Sequence, residues 1–559
     1  MGSTVAPIII ATDKTHLTQF SGNKSAYPVY LTLGNLPRAI RRKPSEHACI
    51  LIAYLSVDKI RREKLTKQDQ RARYQRVFHE SMRRILDPLK RAGKDGVEMV
   101  GGDRAVRKVH PILASYVADF PEQCLVACAK YGTCPKCQCP ANKLQDPNVA
   151  DPRSPQWTDD ICKAASASTN TSPQFYAECM SHDVSGFVHK PFWHGFPYTN
   201  IHDSITPDVL HQLYQGVFKH LVSWCQISMK KEELDARIRT LPPSFGIRHF
   251  KNGISGLSQV SGTESKAIAK ILLGCLVGKV PSGVVRAARG ILDFIYLAQY
   301  TAHDDHTLKY MKEALKLFHE NRQIFVTLGI RDDFNIPKFH SLLHYITSIE
   351  QFGATDNYNT EMFERLHIDF AKKGWRASNS RNEFPQMIRW LERQEKTACF
   401  ENYLDTMKAE RHPDPGRNIQ QHARNFAGQP IQIAKKPHSP GCPIPTIERD
   451  HNCPFFSRDL KDYLNALSSN PAPAKNVQSK PFPFDKLDVY HMFKFAPTSL
   501  DDGVGEIDGG DGDRQTVRAV PSKGGKPARF DTIIVLHNAD AEATGLQGVY
   551  SFIRLLGTG

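Results

Sequence analysis

No stretch of about 18 consecutive apolar residues occurs in the 559-residue chain, so the sequence offers no transmembrane helix. Met1-Gly-Ser-Thr-Val-Ala6 lacks the basic start and apolar core of a secretory signal. Ala6 also stands where myristoylation needs Ser or Thr. No internal repeat is visible, which argues against a solenoid or propeller. Acids are in the minority: 58 Asp and Glu against 73 Lys and Arg give a formal net charge of +15. That excess favours polyanionic partners such as nucleic acid. What is present is ordinary for a globular protein, with 40% apolar and 23% charged residues. The length suits roughly two to four folded units rather than one core. Thirteen cysteines with no leader point to a reducing compartment, where paired cysteines read as metal ligands before disulfides.

The chain opens with strand patterns. APIIIAT (6–12), AYPVYLTLGNL and ACILIAYLSV are apolar runs bounded by Gly, Pro or charge. They predict the first three strands of one sheet. Lys59 to Lys94 predicts a long basic helix with 13 Lys and Arg against four acids. It is either a solvated face or a phosphate-contacting surface. ILASYVA, leading to Asp119, predicts a fourth strand, and a polar Ser/Thr/Pro-rich stretch follows over about 140–200. From Pro207 to about Arg411, apolar spacing near 3.6 predicts helices almost throughout. Beyond about 412 the chain is Pro-rich, with an acidic Gly-rich linker in LDDGVGEIDGGDGDR. FDTIIVLHN and GVYSFIRLL suggest a small β-rich tail. The pattern as a whole predicts an α/β or α+β domain carrying an all-helical insertion.

Three constellations could carry chemistry. Cys134-Pro-Lys-Cys137 lets two thiolates on a tight turn reach one tetrahedral zinc, with Cys124, Cys128 and Cys139 close enough in sequence to be further candidates. Two buried free cysteines are the plainer reading. His340 and His344, four apart on a predicted helix, leave from one face. They could complete a Cys₂His₂ set or pack in a helix contact. Asp13 and Asp119 each follow a predicted strand, where the sheet edge presents ligand-binding side chains. Two such acids with a helical carboxylate from Glu361 or Glu364 would suit Mg²⁺ and in-line phosphoryl chemistry. Asp208 and His211, with His202 and Asp203 nearby, form a polar cluster at a helix start, where capping is the simpler role.

ATDKTHLTQFSGNKSAYPVYLTLGNLPRAIRRKPS, ADFPEQCLVACAKYGTCPKC, HDSITPDVLHQLYQGVFKHLVSWC and NTEMFERLHIDFAKKGWRASN together resemble the Plavaka transposases, fungal DNA transposases related to the CACTA group. The resemblance runs from about Ala6 to about Glu410, with the blocks in family order. It implies a ribonuclease-H-like mixed sheet interrupted by a large helical insertion, and a DDE triad at Asp13, Asp119 and Glu364, with Glu361 as the fallback. The Asp-x-x-His signature of CACTA-like enzymes falls on Asp208 and His211. The distantly related recombinase of vertebrate antigen-receptor assembly is similar in sharing one zinc between a CxxC and a helical His pair ahead of the Glu. That similarity assigns the zinc here to Cys134, Cys137, His340 and His344.

The implied organisation is a first core segment over 1–139, a loop and helical insertion over 140–335, a helical completion over 336–411, and an extension over 412–559. The implied cofactors are Mg²⁺ or Mn²⁺ at the acids and structural Zn²⁺. The implied partners are double-stranded transposon ends and target DNA, a second copy of the chain on DNA, and no membrane; the implied compartment is the nucleus. Lys372, Lys373, Arg376 and Arg381 are candidate phosphate contacts, and Trp375 is a base-stacking candidate or a core aromatic. Family members usually carry a long segment before the first Asp, often with a zinc-finger DNA-binding module, and no such module is visible ahead of Asp13. The expectation is therefore an active strand-transfer enzyme, or else a truncated, catalytically dead or domesticated DNA-binding relative. A nuclease without transposition and a zinc-stabilised interaction protein are the remaining readings.

Overall fold

The computed structural model describes residues 3–18, 23–58, 65–101, 105–244 and 247–411, then 432–433, 436–451, 453–466, 477–478, 481–482, 484–495, 515–521, 529–530, 532–536 and 550–554. The chain divides into two compact units, Met1–Tyr403 and Leu404–Gly559.

The first unit contains a five-stranded mixed sheet. Strands β1 (Ser3–Thr12), β2 (Pro28–Leu33) and β3 (Cys49–Tyr54) form an antiparallel meander. Helix α1 (Lys67–Asp95) follows. Then come β4 (Val97–Val100) and β5 (Val106–Val117). The spatial order is β3-β2-β1-β5-β4, with β5 parallel to β1. β1 is central, and its Ile8, Ile9 and Ile10 are all buried. That placement explains why it reads as a continuous apolar run rather than an alternating one. Ile8 pairs with Leu33 on one side and with Leu113 on the other. The first three predicted strands are therefore present.

α1 begins at a capping box in which Thr66 and Asp69 satisfy each other's free backbone N–H groups. Its apolar stripe, Ala72, Phe78, Met82 and Leu86, packs with Ile8, Ile10, Leu113 and Tyr116. Lys67, Arg71, Arg73, Arg91 and Lys94 lie on its exposed side. Residues 59–64, the start of the predicted basic helix, lie outside the described residues. Near the helix end, Gly93 allows close approach to β5. A Cβ there would meet the Pro111 carbonyl oxygen at 2.8 Å. We expect Gly93→Val to destabilise the unit by about 1–3 kcal/mol in urea unfolding, through overpacking against backbone that cannot yield.

The sheet differs from the expectation in two ways. β5 is longer than ILASYVA, starting at Val106. It is also preceded by β4, whose four residues are all exposed, so that no alternation marks them. Asp119 lies two residues past β5 and caps helix α2 (Phe120–Val126). Within the polar stretch of 140–200, Pro155–Ser168 and Ser172–Ser181 are helical. Their start signals are Ser154 ahead of Pro155 and Thr171 ahead of Ser172-Pro173, with the Ser and Thr hydroxyls accepting from backbone N–H groups.

The helical block has a second core, built on Leu213, Leu221, Trp224, Leu272, Ile291, Phe294, Phe318 and Tyr345. Its principal helices are α3 (Val209–Phe218, π-helical), α4 (Lys219–Met229), α5 (Gly262–Leu276), α6 (Ser282–Leu297) and α7 (Asp305–Asn321). After it come α8 (Tyr345–Phe352), α9 (Thr360–His367) and α10 (Glu383–Arg411). No helix among the described residues is long and apolar enough to cross a membrane.

In the second unit, Ser439–Pro443 pairs with Lys486–Val489, and Met492–Phe495 pairs with Gln515–Val520. Thr532–Leu536 pairs with Tyr550–Arg554, so the two apolar tail segments form one antiparallel pair. Helices at Ile444–Asp450 and Phe456–Ala466 were not anticipated. The acidic Gly-rich linker up to residue 514 lies outside the described residues.

Candidate active site and candidate metal centre

β1 and β5 are adjacent and parallel, so the residues following them, Asp13 and Asp119, leave the same edge of the sheet. Asp119 Oδ1 accepts the Glu122 backbone N–H at 3.0 Å. The third contribution is the start of α3. Asp208 is fully buried there and caps the helix by accepting the His211 N–H at 3.1 Å. Its other oxygen takes the His211 Nδ1–H at 2.7 Å, and the Thr360 hydroxyl donates to Oδ1 at 2.7 Å. The fourth is α9, where Glu364 Oε1 lies 3.3 Å from His211 Nε2. π-helical geometry is rare and is found often at functional sites. Here it occurs both in α3 and at Ile368–Lys372, directly after α9.

The electrostatics follow from crowding. Burial raises the Glu364 carboxyl to about 7, with Asp13 and Asp208 adding to the rise and His211 opposing it. Burial also raises Asp119; the Glu122 N–H and His211 work against this, and Asp13 and Asp208 add to it. Burial alone would lower His211, but the Asp208 hydrogen bond and charge, with Glu364 and Asp119 behind them, lift it to about 9. The site is thus one fully buried carboxylate, Asp208, and the half-buried Asp119 and Glu364 about the His211 imidazolium, with the half-buried Asp13 within electrostatic range of Asp119 and Glu364. Such a donor set fits hard divalent cations.

Glu361 faces elsewhere. It pairs with Lys266 of α5 at 2.9 Å. Trp375 is half-buried against Leu17, Ala26, Ala371 and Met387, in keeping with its reading as a core aromatic. Lys373 is exposed and pairs with Asp369 at 2.6 Å, while Arg376 and Arg381 are exposed. Two residues of the site escaped the sequence reading. Glu122 is buried beneath Asp119, takes a hydrogen bond from the Thr12 hydroxyl, and is pushed well up by burial. His367 bonds Asp13 Oδ2 through Nε2 at 3.1 Å. Their only sequence signal is spacing: each lies three residues beyond a proposed catalytic acid.

A second site is built from the CxxC turn and the histidine pair. Cys134 Sγ lies 3.2 Å from His344 Nε2, and Cys137 Sγ lies 3.2 Å from His340 Nε2. All four side chains are buried and their ligand atoms lie within 4.8 Å of one another. Among the described residues no other group of three or more His, Cys, Asp and Glu side chains is drawn together so closely. Bond lengths of about 2.3 Å to sulfur and about 2.0 Å to nitrogen put S and N about 3.6 Å apart around a tetrahedral zinc, so a few tenths of an ångström of opening would admit the ion. His340 Nδ1 faces the Leu144 carbonyl at 3.3 Å, which leaves Nε2 free to ligate. Hydrogen bonds from Cys134 and then from His340 and His344 hold the Cys137 thiol far down, in its thiolate form. The cluster can therefore hold a metal such as zinc. Cys124, Cys128 and Cys139 turn instead to the Thr133 carbonyl, His79 and the Lys143 carbonyl. The histidines are not on one regular α-helix: Ser341–His344 is a 3-10 turn between Pro337–His340 and α8.

The two sites are wired together. Lys136, inside the CxxC, donates to the carbonyls of Asp203 and Ile205 at 3.0 and 2.7 Å. His202 Nδ1 bonds the Pro135 carbonyl at 2.9 Å. From the histidine side, Lys338 donates to the His211 carbonyl at 2.8 Å and the Tyr345 hydroxyl to the Asp208 carbonyl at 3.1 Å.

No curated protein sequence matches the chain. Residues 1–225 match the family model described as Plavaka transposase. That span includes β1 and β5 with the acids that follow them, the CxxC turn and the Asp208–His211 turn, so over these residues the chain is similar to the Plavaka transposases.

Proposed function

We propose that this protein is a DDE-type DNA transposase that cleaves DNA strands and joins the freed 3′ end to target DNA in the nucleus. What supports the reading is that Asp13 and Asp119 follow adjacent parallel strands, that Glu364 lies 3.3 Å from His211 of the Asp208–His211 pair, and that Asp13 is within electrostatic range of both Asp119 and Glu364. The family match over residues 1–225 supplies the reaction class. The antiparallel meander, helix and parallel strand preceding the two Asp residues follow the order expected of a ribonuclease-H-like core, with an antiparallel β4 hairpin added at the edge.

In this reading Asp13, Asp119 and Glu364 hold a pair of Mg²⁺ or Mn²⁺ ions. When bound, the ions activate the attacking oxygen and stabilise the leaving one. Asp208, with no exposed surface, fixes the orientation of His211, and His211 holds Glu364 toward the two Asp residues. Thr360, at the start of α9, bonds Asp208, so the helix carrying Glu364 is pinned at its first turn. The exposed Lys67, Arg71 and Arg73 of α1, with Arg376 and Arg381, offer phosphate contacts, and Tyr74 between them lies within electrostatic range of Asp119. Cys134, Cys137, His340 and His344 hold a structural zinc. A second copy of the chain acts on the paired DNA ends.

The test is nicking of an end-labelled DNA duplex by the full chain with Mg²⁺. Cleavage should appear in the wild type, vanish with EDTA and persist in Glu361→Gln, whose side chain makes a half-buried ion pair with Lys266 instead of facing His211. Metal-dependent binding without any cleavage or joining would favour the catalytically dead relative instead.

A further inference from the structure

We propose that His367 is a positioning residue that sets the orientation of the Asp13 carboxylate relative to Glu364, and that Tyr30 fixes the His367 tautomer for this task. The inference rests on the acidic-site reading above and adds residues that the reading does not use.

His367 is buried, with Nε2 3.1 Å from Asp13 Oδ2 and Nδ1 2.9 Å from the Tyr30 hydroxyl. A carboxylate can only accept, so Nε2 carries the proton and donates to Asp13. In a neutral ring Nδ1 is then the acceptor, and Tyr30 donates to it. Tyr30 is fully buried on β2 and burial pushes its hydroxyl well above the usual range, so it stays a donor. The ring has little freedom to turn, because Tyr30 packs against His367 at 5.8 Å between ring centroids and against Phe363 and Phe370 at 6.4 and 5.8 Å. The chain Tyr30–His367–Asp13 therefore runs from β2 through α9 to the end of β1.

The location gives this chain its consequence. His367 is three residues after Glu364, one turn along α9. One turn of helix thus presents a carboxylate of the site and grips a second one, so the two carboxylates that would hold cations are tied to the same element. Ligand carboxylates gripped in this way hold metals more tightly, and loss of such partners commonly costs ~10–100-fold in affinity or activity.

Mn²⁺ binding to the full chain, read by electron paramagnetic resonance on variants shown to be folded by circular dichroism, tests this without relying on turnover. His367→Ala should weaken Mn²⁺ binding ~10–100-fold. His367→Gln, whose amide N–H can donate, should recover most of that loss. Tyr30→Phe, which removes only the hydroxyl, should weaken binding in the same direction and keeps the test available if His367→Ala does not fold. Equal Mn²⁺ affinity in wild type and His367→Ala, or equal loss in His367→Ala and His367→Gln, overturns the positioning role while leaving the acidic site standing. Absence in the wild type of any Mn²⁺ binding sensitive to Asp119→Asn overturns the acidic site, and this role with it.

Discussion

Asp119→Asn should lower Mg²⁺-dependent strand cleavage by ~10³-fold or more, because a carboxylate holding catalytic cations contributes several kcal/mol to the transition state. The substitution separates chemistry from folding unusually well. Asn caps a helix about as effectively as Asp, so the Glu122 N–H keeps its partner and α2 its start. The charge that disappears is one the metal-free fold resists: burial, Asp13 and Asp208 all push the Asp119 carboxyl upward. A raised carboxyl in the folded state means that ionisation at neutral pH costs stability. The metal-free variant should therefore melt at the same temperature as wild type or slightly higher. Adding Mg²⁺ should raise the melting temperature of the wild type and leave the variant nearly unmoved, by linkage. DNA binding through α1 should persist. Normal cleavage in Asp119→Asn would remove the proposed mechanism.

The second large effect concerns the Cys₂His₂ cluster. Purified protein should contain about one zinc per chain, and Cys137→Ser should lose it. Structural zinc contributes up to ~10–16 kcal/mol in small peptides. This unit has two hydrophobic cores of its own, so a loss of several kcal/mol and on the order of 10 °C in Tm is expected. The loss should be uneven. Lys136, Lys338 and Tyr345 carry the cluster's geometry to the Asp208–His211 turn, so amide exchange should accelerate first around residues 203–212. Cleavage should fall with it, since a misplacement of about 1 Å can cost ~100-fold. Full stability and activity in metal-free Cys137→Ser would show the four side chains to be ordinary core residues.

The parts of this arrangement that were legible in the sequence are those whose signal is local. Ile8-Ile9-Ile10 announces a central strand because both faces are buried, and the 3.6 spacing in GILDFIYL announces a helix with one core-facing stripe, whereas VLHQLYQGVF reads as a helix but is π-helical and buried on nearly every side. The CxxC and HSLLH pairs and the strand-end acids were each visible as open candidates; likeness to known transposases and to the related recombinase is what chose among them. β4 stayed hidden because its exposed residues have no pattern to follow, and the helices at 155–181 because their Ser, Thr and Pro also suit loops. Glu361 and Glu364 look alike in TEMFERLH. Only Lys266 on one side and His211 on the other separate them, and both partners come from remote segments. The link from His367 to Asp13 spans 354 positions, beyond any periodicity argument.

The cysteine–histidine cluster also bears on how this fold could vary. Cys137 and His340 are 203 positions apart and in contact, with most of the helical block strung between them. They act as a clasp at the neck of a bag: whatever is inside, the neck stays shut. Doubling a closed loop adds only about 0.6 kcal/mol to its closure entropy, so the block can gain or lose helices at small cost while the turn leading into α3 and the segment leading to α9 are held at the clasp. Diversity in the contents and constancy at the drawstring is the pattern this architecture permits.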